Sequence, residues 1–246
     1  NTEGLLKLTE LPKSMNGLWQ SVSTFDIDGD GDEDILYGNW GTNTKFNINF
    51  DGPLVMYHND FDENGTNETL LTYNIGGIYY PLNSKDELAA QMNIVNKIYV
   101  NHESFAGKPI NKIINPKFLN AATTYEAHIL ESGYLKNDNG NFTEFVALPD
   151  AFQLAPINTL TKIDVDGDSQ LLVGGNSYKV NSYHGSFTAL KGLLVKDETN
   201  YQAASAFGMD PFDQQIKQIE TIKMKDKNLV IILSNSSELK TYSYQN

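Results

Sequence analysis

The stretch that most constrains this chain runs from Phe25 to Asn39. It sets carboxylates at Asp26, Asp28, Asp30 and Asp34, relative positions 1, 3, 5 and 9, with Asp32 at 7, where a backbone carbonyl serves. Oxygen ligands on alternate residues of a tight, glycine-bearing loop suit a hard cation that takes six to eight oxygens, and calcium is that cation. An EF-hand needs a bidentate Glu at position 12, which here is Tyr37, and a helix on each side. The flanks, Gln20–Phe25 and Ile35–Tyr37, are β-rich instead, so the spacing predicts a strand–loop–strand site. An acidic surface turn is the plainer alternative, since Asp and Gly are ordinary turn residues. Five aspartates within nine residues, however, repel one another unless a cation neutralises them.

The same spacing returns at Asp60, Asp62, Asn64, Thr66 and Glu68, with side-chain oxygens at 1, 3, 5 and 9 and the Thr66 carbonyl at 7. A third stretch, Asp164, Asp166 and Asp168, is shorter, and its ninth-position carboxylate is replaced by Gln170, Leu171 or Leu172. The pattern therefore predicts about two calcium sites, with the third left open between a site and a relic turn.

These loops belong to an internal repeat. Leu11-Pro12 returns as Leu148-Pro149 and Gly38-Asn39 as Gly175-Asn176, both 137 residues later. Gly133–Phe142 resembles Gly192–Tyr201 at an offset of 59, and Leu229–Asn235 echoes the runs that end at Asn39 and Asn176. Short strands and turns repeating near this length match a propeller blade with long loops. The strands expected are 19–25, 35–38, 54–58, 69–74, 78–82, 127–136, 142–147, 158–163, 171–174, 189–196, 216–223, 229–234 and 239–244. Between 84 and 123 the pattern changes. Ser84 to Glu87 reads as a capping box, and Leu88, Met92, Val95 and Tyr99 follow at helical steps. A second short helix is expected after Pro116, around Lys117–Thr123. The expectation is a mainly β chain of propeller-like blades, closed in a small ring or forming part of one, with a helical insertion at 84–123.

Composition narrows the function. A net charge of −13 lacks the basic footprint that nucleic acid requires and disfavours anionic lipid. There is no cysteine for a disulfide or thiolate site, and no apolar run long enough to span a membrane as a helix. The opening Asn1-Thr-Glu-Gly reads as the start of a processed chain or an excised fragment. No catalytic motif is apparent. His58, His102, His128 and His184 form no metal-binding spacing, and no nucleophile elbow or phosphate loop occurs. A pair of carboxylates for glycoside chemistry cannot be read from spacing alone.

These residues resemble the FG-GAP/VCBS repeat family, calcium-loop β-propellers related to the integrin alpha-subunit head. The resemblance is carried by Asp26–Asn39, Asp60–Glu68, Gly133–Phe142 and Gly192–Tyr201. It is nearest to the large VCBS-repeat proteins of Bacteroidetes-type bacteria, in which stretches like Asp60–Asp62, Tyr80–Leu82, Lys85–Gln91, Leu148–Pro156 and Gly175-Asn176 recur in that order. It implies a single propeller-type domain over 1–246, shorter than the family's usual ring of six to eight blades. It also implies a non-catalytic, calcium-binding module, secreted, periplasmic or on the cell surface, that contacts a protein or glycan. Two other readings compete. One is a carbohydrate-active hydrolase or lyase using acidic residues, with Trp19, Trp40 and Tyr79-Tyr80 as sugar contacts. The other is a structural subunit of an outer-membrane or secretion assembly.

Overall fold

The computed structural model describes residues 15–46, 52–165, 167–178, 185–235 and 238–244. Leu11-Pro12, Asp166 and His184 lie outside them. The described chain is mainly β, with four antiparallel sheets. It divides into two compact units. One comprises Leu18–Lys45 with Leu130–Asn246; the other comprises Phe46–Ile129 with the residues up to Gly17.

In the first unit, β1 (Ser21–Phe25) and β2 (Asp34–Gly38) form a hairpin. The chain then builds the second unit with β3 (Leu54–Asn59), β4 (Glu68–Ile75) and β5 (Ile78–Pro81). Five short helices follow: α1 (Lys85–Gln91), α2 (Ile94–Ile98), α3 (His102–Phe105), α4 (Ile110–Ile113) and α5 (Pro116–Ala121). β6 (Thr123–Ala127) returns to pair with β3, so this sheet runs β5-β4-β3-β6. Back in the first unit, β7 (Gly133–Asp138) and β8 (Asn141–Ala147) extend the opening hairpin into β1-β2-β7-β8. A second meander follows from β9 (Ile157–Val165), β10 (Asp168–Gly175), β11 (Leu193–Val195) and β12 (Tyr201–Ala203). A third comes from β13 (Ile216–Lys223), β14 (Asn228–Ser234) and β15 (Lys240–Tyr244).

Within the larger unit, alternating apolar residues are buried between successive sheets. Leu36, Tyr134, Leu171 and Val173 belong to one core, and Leu172, Leu194, Ile219 and Val230 to the next. The first strands of successive sheets lie side by side. Ser21 Oγ donates to the Ile157 carbonyl and Thr161 Oγ1 to that of Ile219, both at 2.8 Å. The repeated Gly-Asn pair has a packing reason. A Cβ on Gly38 would collide with the Ile157 carbonyl, and one on Gly175 with that of Pro156. Asn39 and Asn176 are fully buried and satisfy backbone groups of the neighbouring loops. Asn176 Nδ2 donates to the carbonyls of Leu190 (2.9 Å) and Phe212 (2.8 Å), and its Oδ1 accepts from the Leu190 amide (3.1 Å).

In the smaller unit, Ser84 caps α1 reciprocally. Its Oγ accepts from the Glu87 amide (3.3 Å), and Glu87 Oε2 accepts from the Ser84 amide (2.7 Å). Leu88, Met92, Val95 and Tyr99 bury one stripe against Phe61 and Leu70, but the helix breaks at Met92-Asn93 into α1 and α2. Two sequence expectations shift here. Of the strand expected over 127–136, β6 ends at Ala127 and β7 begins only at Gly133; between them the chain passes from one unit to the other, at Ile129 and Leu130. The helical segment expected at 84–123 sits inside a unit with its own four-stranded sheet, so more than the helices separates β2 from β7.

Candidate metal centres in two hairpin loops

The two hairpins β1–β2 and β3–β4 close alike. Phe25 faces Asp34 and Asn59 faces Glu68 at the last ladder positions, leaving eight residues between them in each hairpin. Position 9 of both acidic patterns is therefore the first residue of the second strand. There it is tied down and withdrawn from water, while positions 1 to 7 form the loop.

In the first loop, Asp26 caps the turn: Oδ1 accepts from the Gly29 amide (2.9 Å) and Oδ2 from that of Gly31 (3.1 Å). Asp28 accepts from the Asp30 amide (3.2 Å), and Asp30 from that of Asp32 (3.0 Å). Gly29 takes a positive φ of 76°, which a side chain at that turn would strain. Asp34 is fully buried and accepts from the amides of Ile27 (3.3 Å) and Asn137 (2.8 Å). Asp26, Asp28 and Asp34 each bring a carboxylate oxygen to within 4.8 Å of the others. Asp30 and Asp32 stand outside that set, and Asp32 instead accepts from the Asn139 amide (3.0 Å). Burial pushes the Asp34 carboxyl up, an effect only partly opposed by its two amide bonds and increased by Asp28 and Asp30 nearby. The Asp32 amide, with Lys136 beside it, holds Asp30 down. Lys136, from β7, bonds to Asp28 and lies 3.2 Å from Asp30, contacts that raise its own pKa.

The second loop repeats the plan with different partners. Asp60 accepts from the amides of Asn64 (3.0 Å) and Gly65 (2.8 Å), and Asn64 Oδ1 accepts from the Thr66 amide (2.8 Å) and the Thr66 hydroxyl. Glu68 is buried and accepts from the Phe61 amide (2.9 Å). Asp60, Asp62 and Glu68 converge within 4.8 Å. Asp62 Oδ1 is shielded from solvent and has no hydrogen-bond partner. A shielded carboxylate oxygen without a partner, on one of three converging carboxylates, fits a cation.

The third stretch is built otherwise. Its ladder continues to Val165 facing Asp168, so only two residues lie between β9 and β10. Asp164 pairs with Ser169 inside the ladder, and Asp168 meets Lys196 at 2.7 Å. Among the described residues, acidic groups converge only in the first two loops.

Pairing also shows a feature that the linear repeat missed. Leu36 pairs with Tyr134 and Leu172 with Leu194, each pair facing the next sheet. Two residues further along the same register, Lys136 comes opposite Asp34 and Lys196 opposite Gln170. Gln170 thus holds Asp34's place in the second sheet. The alignment at offset 59 sets Lys136 beside Val195 rather than Lys196. By strand pairing Tyr134 matches Leu194, 60 residues on, whereas Gly133 and Gly192 stand 59 apart, so the linear repeat is out by one residue at this point.

Of the other residues considered, Trp19 packs on Tyr37 (5.2 Å) and Phe145 (6.0 Å), and Trp40 packs edge-on against Phe187 (5.3 Å). His58 lies 3.3 Å from Thr69 Oγ1, and His128 pairs with Glu126 at 3.1 Å. Compared with known proteins, the chain matches no family model and no curated protein.

Proposed function

We propose that this protein is a calcium-stabilised, non-catalytic binding module with propeller-type blades. The observation that carries this reading is the convergence of Asp60, Asp62 and Glu68, with Asp62 Oδ1 left without a partner, repeated in plan by Asp26, Asp28 and Asp34. An all-oxygen donor set favours calcium over transition metals, which prefer nitrogen or sulfur, and over magnesium, which keeps its water. Bound there, calcium would neutralise clustered carboxylates and fix the hairpin tips; the chain's own residues hold the loops in shape through Asp26, Asp60, Asp34 and Glu68. Three meanders with first strands side by side support a propeller arc of the FG-GAP/VCBS kind, with the smaller unit inserted in its first blade. Calcium levels found outside cells suit such sites, so on this reading the protein works at the cell surface, in the periplasm or in the medium. Its ligand there is a protein or a glycan bound through exposed loops.

Calorimetric titration of chelator-treated protein tests the reading. Calcium should fill two sites, and at about 1,000 times the dissociation constant it should stabilise the fold by about 4 kcal/mol per site. Melting curves that are the same in calcium and in chelator would overturn it.

A further inference from the structure

The two loops share a sequence plan, yet among the described residues only the first has an ammonium group against its carboxylates. Lys136 bonds to Asp28, a member of the converging set whose side chain is only 9% exposed, and reaches Asp30 at 3.2 Å. Lys196, at the same register point, also bonds to an aspartate of its own sheet's hairpin, Asp168, although that turn is shorter and Asp168 is exposed. In the second unit, the β4–β5 register continued past Thr72–Pro81 would bring Lys85 opposite Glu68, the matching place. It does not arrive. The ladder ends at Pro81, Ser84 starts α1, and Lys85 turns into the helical segment. There its Nζ donates to Asn96 Oδ1 at 2.7 Å and lies 3.9 Å from Asp86. Among the described residues, no cationic side chain pairs with Asp60, Asp62 or Glu68, and Asp62 Oδ1 stays orphaned.

The geometry points to Lys136 as a resident counter-cation of the first loop, so that the second loop takes a divalent cation first and tightly, while the first takes one only as Lys136 withdraws. A tethered ammonium competes at high effective concentration without being consumed. A metal ion entering beside it would also meet like-charge repulsion at short range. This rests on the calcium reading above for the identity of the ion; the competition itself depends only on Lys136.

The test is calcium titration of the full, chelator-treated chain by calorimetry, comparing wild type with Lys136→Met, Lys136→Arg and Asp62→Ala. Wild type should show one tight and one weak class. Lys136→Met should tighten the weak class about tenfold or more, equivalent to about 1.4 kcal/mol. It should leave the tight class unmoved, and Lys136→Arg should behave as wild type. Asp62→Ala should remove the tight class alone. Should Lys136→Met fold poorly without metal, Lys136→Gln must move the same class in the same direction. An unchanged or weakened class in both neutral variants overturns the proposal, as does a shift in the class that Asp62→Ala removes. If wild type binds nothing but Lys136→Met binds one ion, the competition stands and the two-site reading falls. If neither binds, both fall.

Discussion

The first and second loops have the same length, the same closing register and the same spacing of oxygens, yet they balance charge in opposite ways. The first draws a lysine from its own sheet onto Asp28 and Asp30. The second leaves Asp62 Oδ1 without a partner, and the corresponding lysine, Lys85, bonds to Asn96 instead. Similar loop sequences therefore do not make equivalent sites. What distinguishes them lies one strand away, on the element that follows the hairpin.

Removing the buried anchor of each loop should have the largest effect. Asp34→Ala strips two amides of their acceptor and Glu68→Ala strips one, each orphaned group costing about 1–3 kcal/mol. Chelator-state melts should therefore show Asp34→Ala as the more damaging, and equal losses would break the comparison at its base. Next come the third-position aspartates. In chelator, Asp62→Ala removes an uncompensated oxygen and should leave stability unchanged or raise it by up to about 1 kcal/mol. Asp28→Ala takes away the partner of Lys136 and should lower the melting temperature slightly. The opposite signs sharpen the contrast, whereas a shared sign would show that Lys136 does not balance the first loop. The smallest effect is expected from Lys85→Met. It loses the bond to Asn96, at roughly 1 kcal/mol of stability, but should not alter calcium affinity at the second loop. A change in that affinity would mean that Lys85 visits the loop.

Much of this was legible in the residues. Side-chain oxygens at positions 1, 3, 5 and 9 between two β-rich runs already place Asp26–Asp34 and Asp60–Glu68 in strand–loop–strand turns, because oxygens at every second position suit a cation and the flanks suit strands. The capping box at Ser84 and the stripe through Leu88 and Met92 marked α1, since both signals are local. Other features could not be read along the chain. The spacing offered Gln170, Leu171 or Leu172 for Asp34's place, and strand pairing selects Gln170. The match of Lys196 to Lys136 was hidden by a one-residue slip in the linear repeat, because pairing register is not visible along the chain. β6 and β12 escaped because each is short and largely exposed, without the buried alternation that marks the longer strands.

The sequence by itself determined the mainly β architecture, the hairpin loops and their oxygen-rich chemistry, because strand propensity, turn residues and ligand spacing all act over a few neighbours. Only the tertiary structure decided which carboxylates converge, which lysine reaches them and which oxygen is left alone. Those outcomes depend on strands brought together across about a hundred residues of intervening chain, from Asp28 to Lys136. At that range pairing register, rather than order along the chain, decides which charges meet.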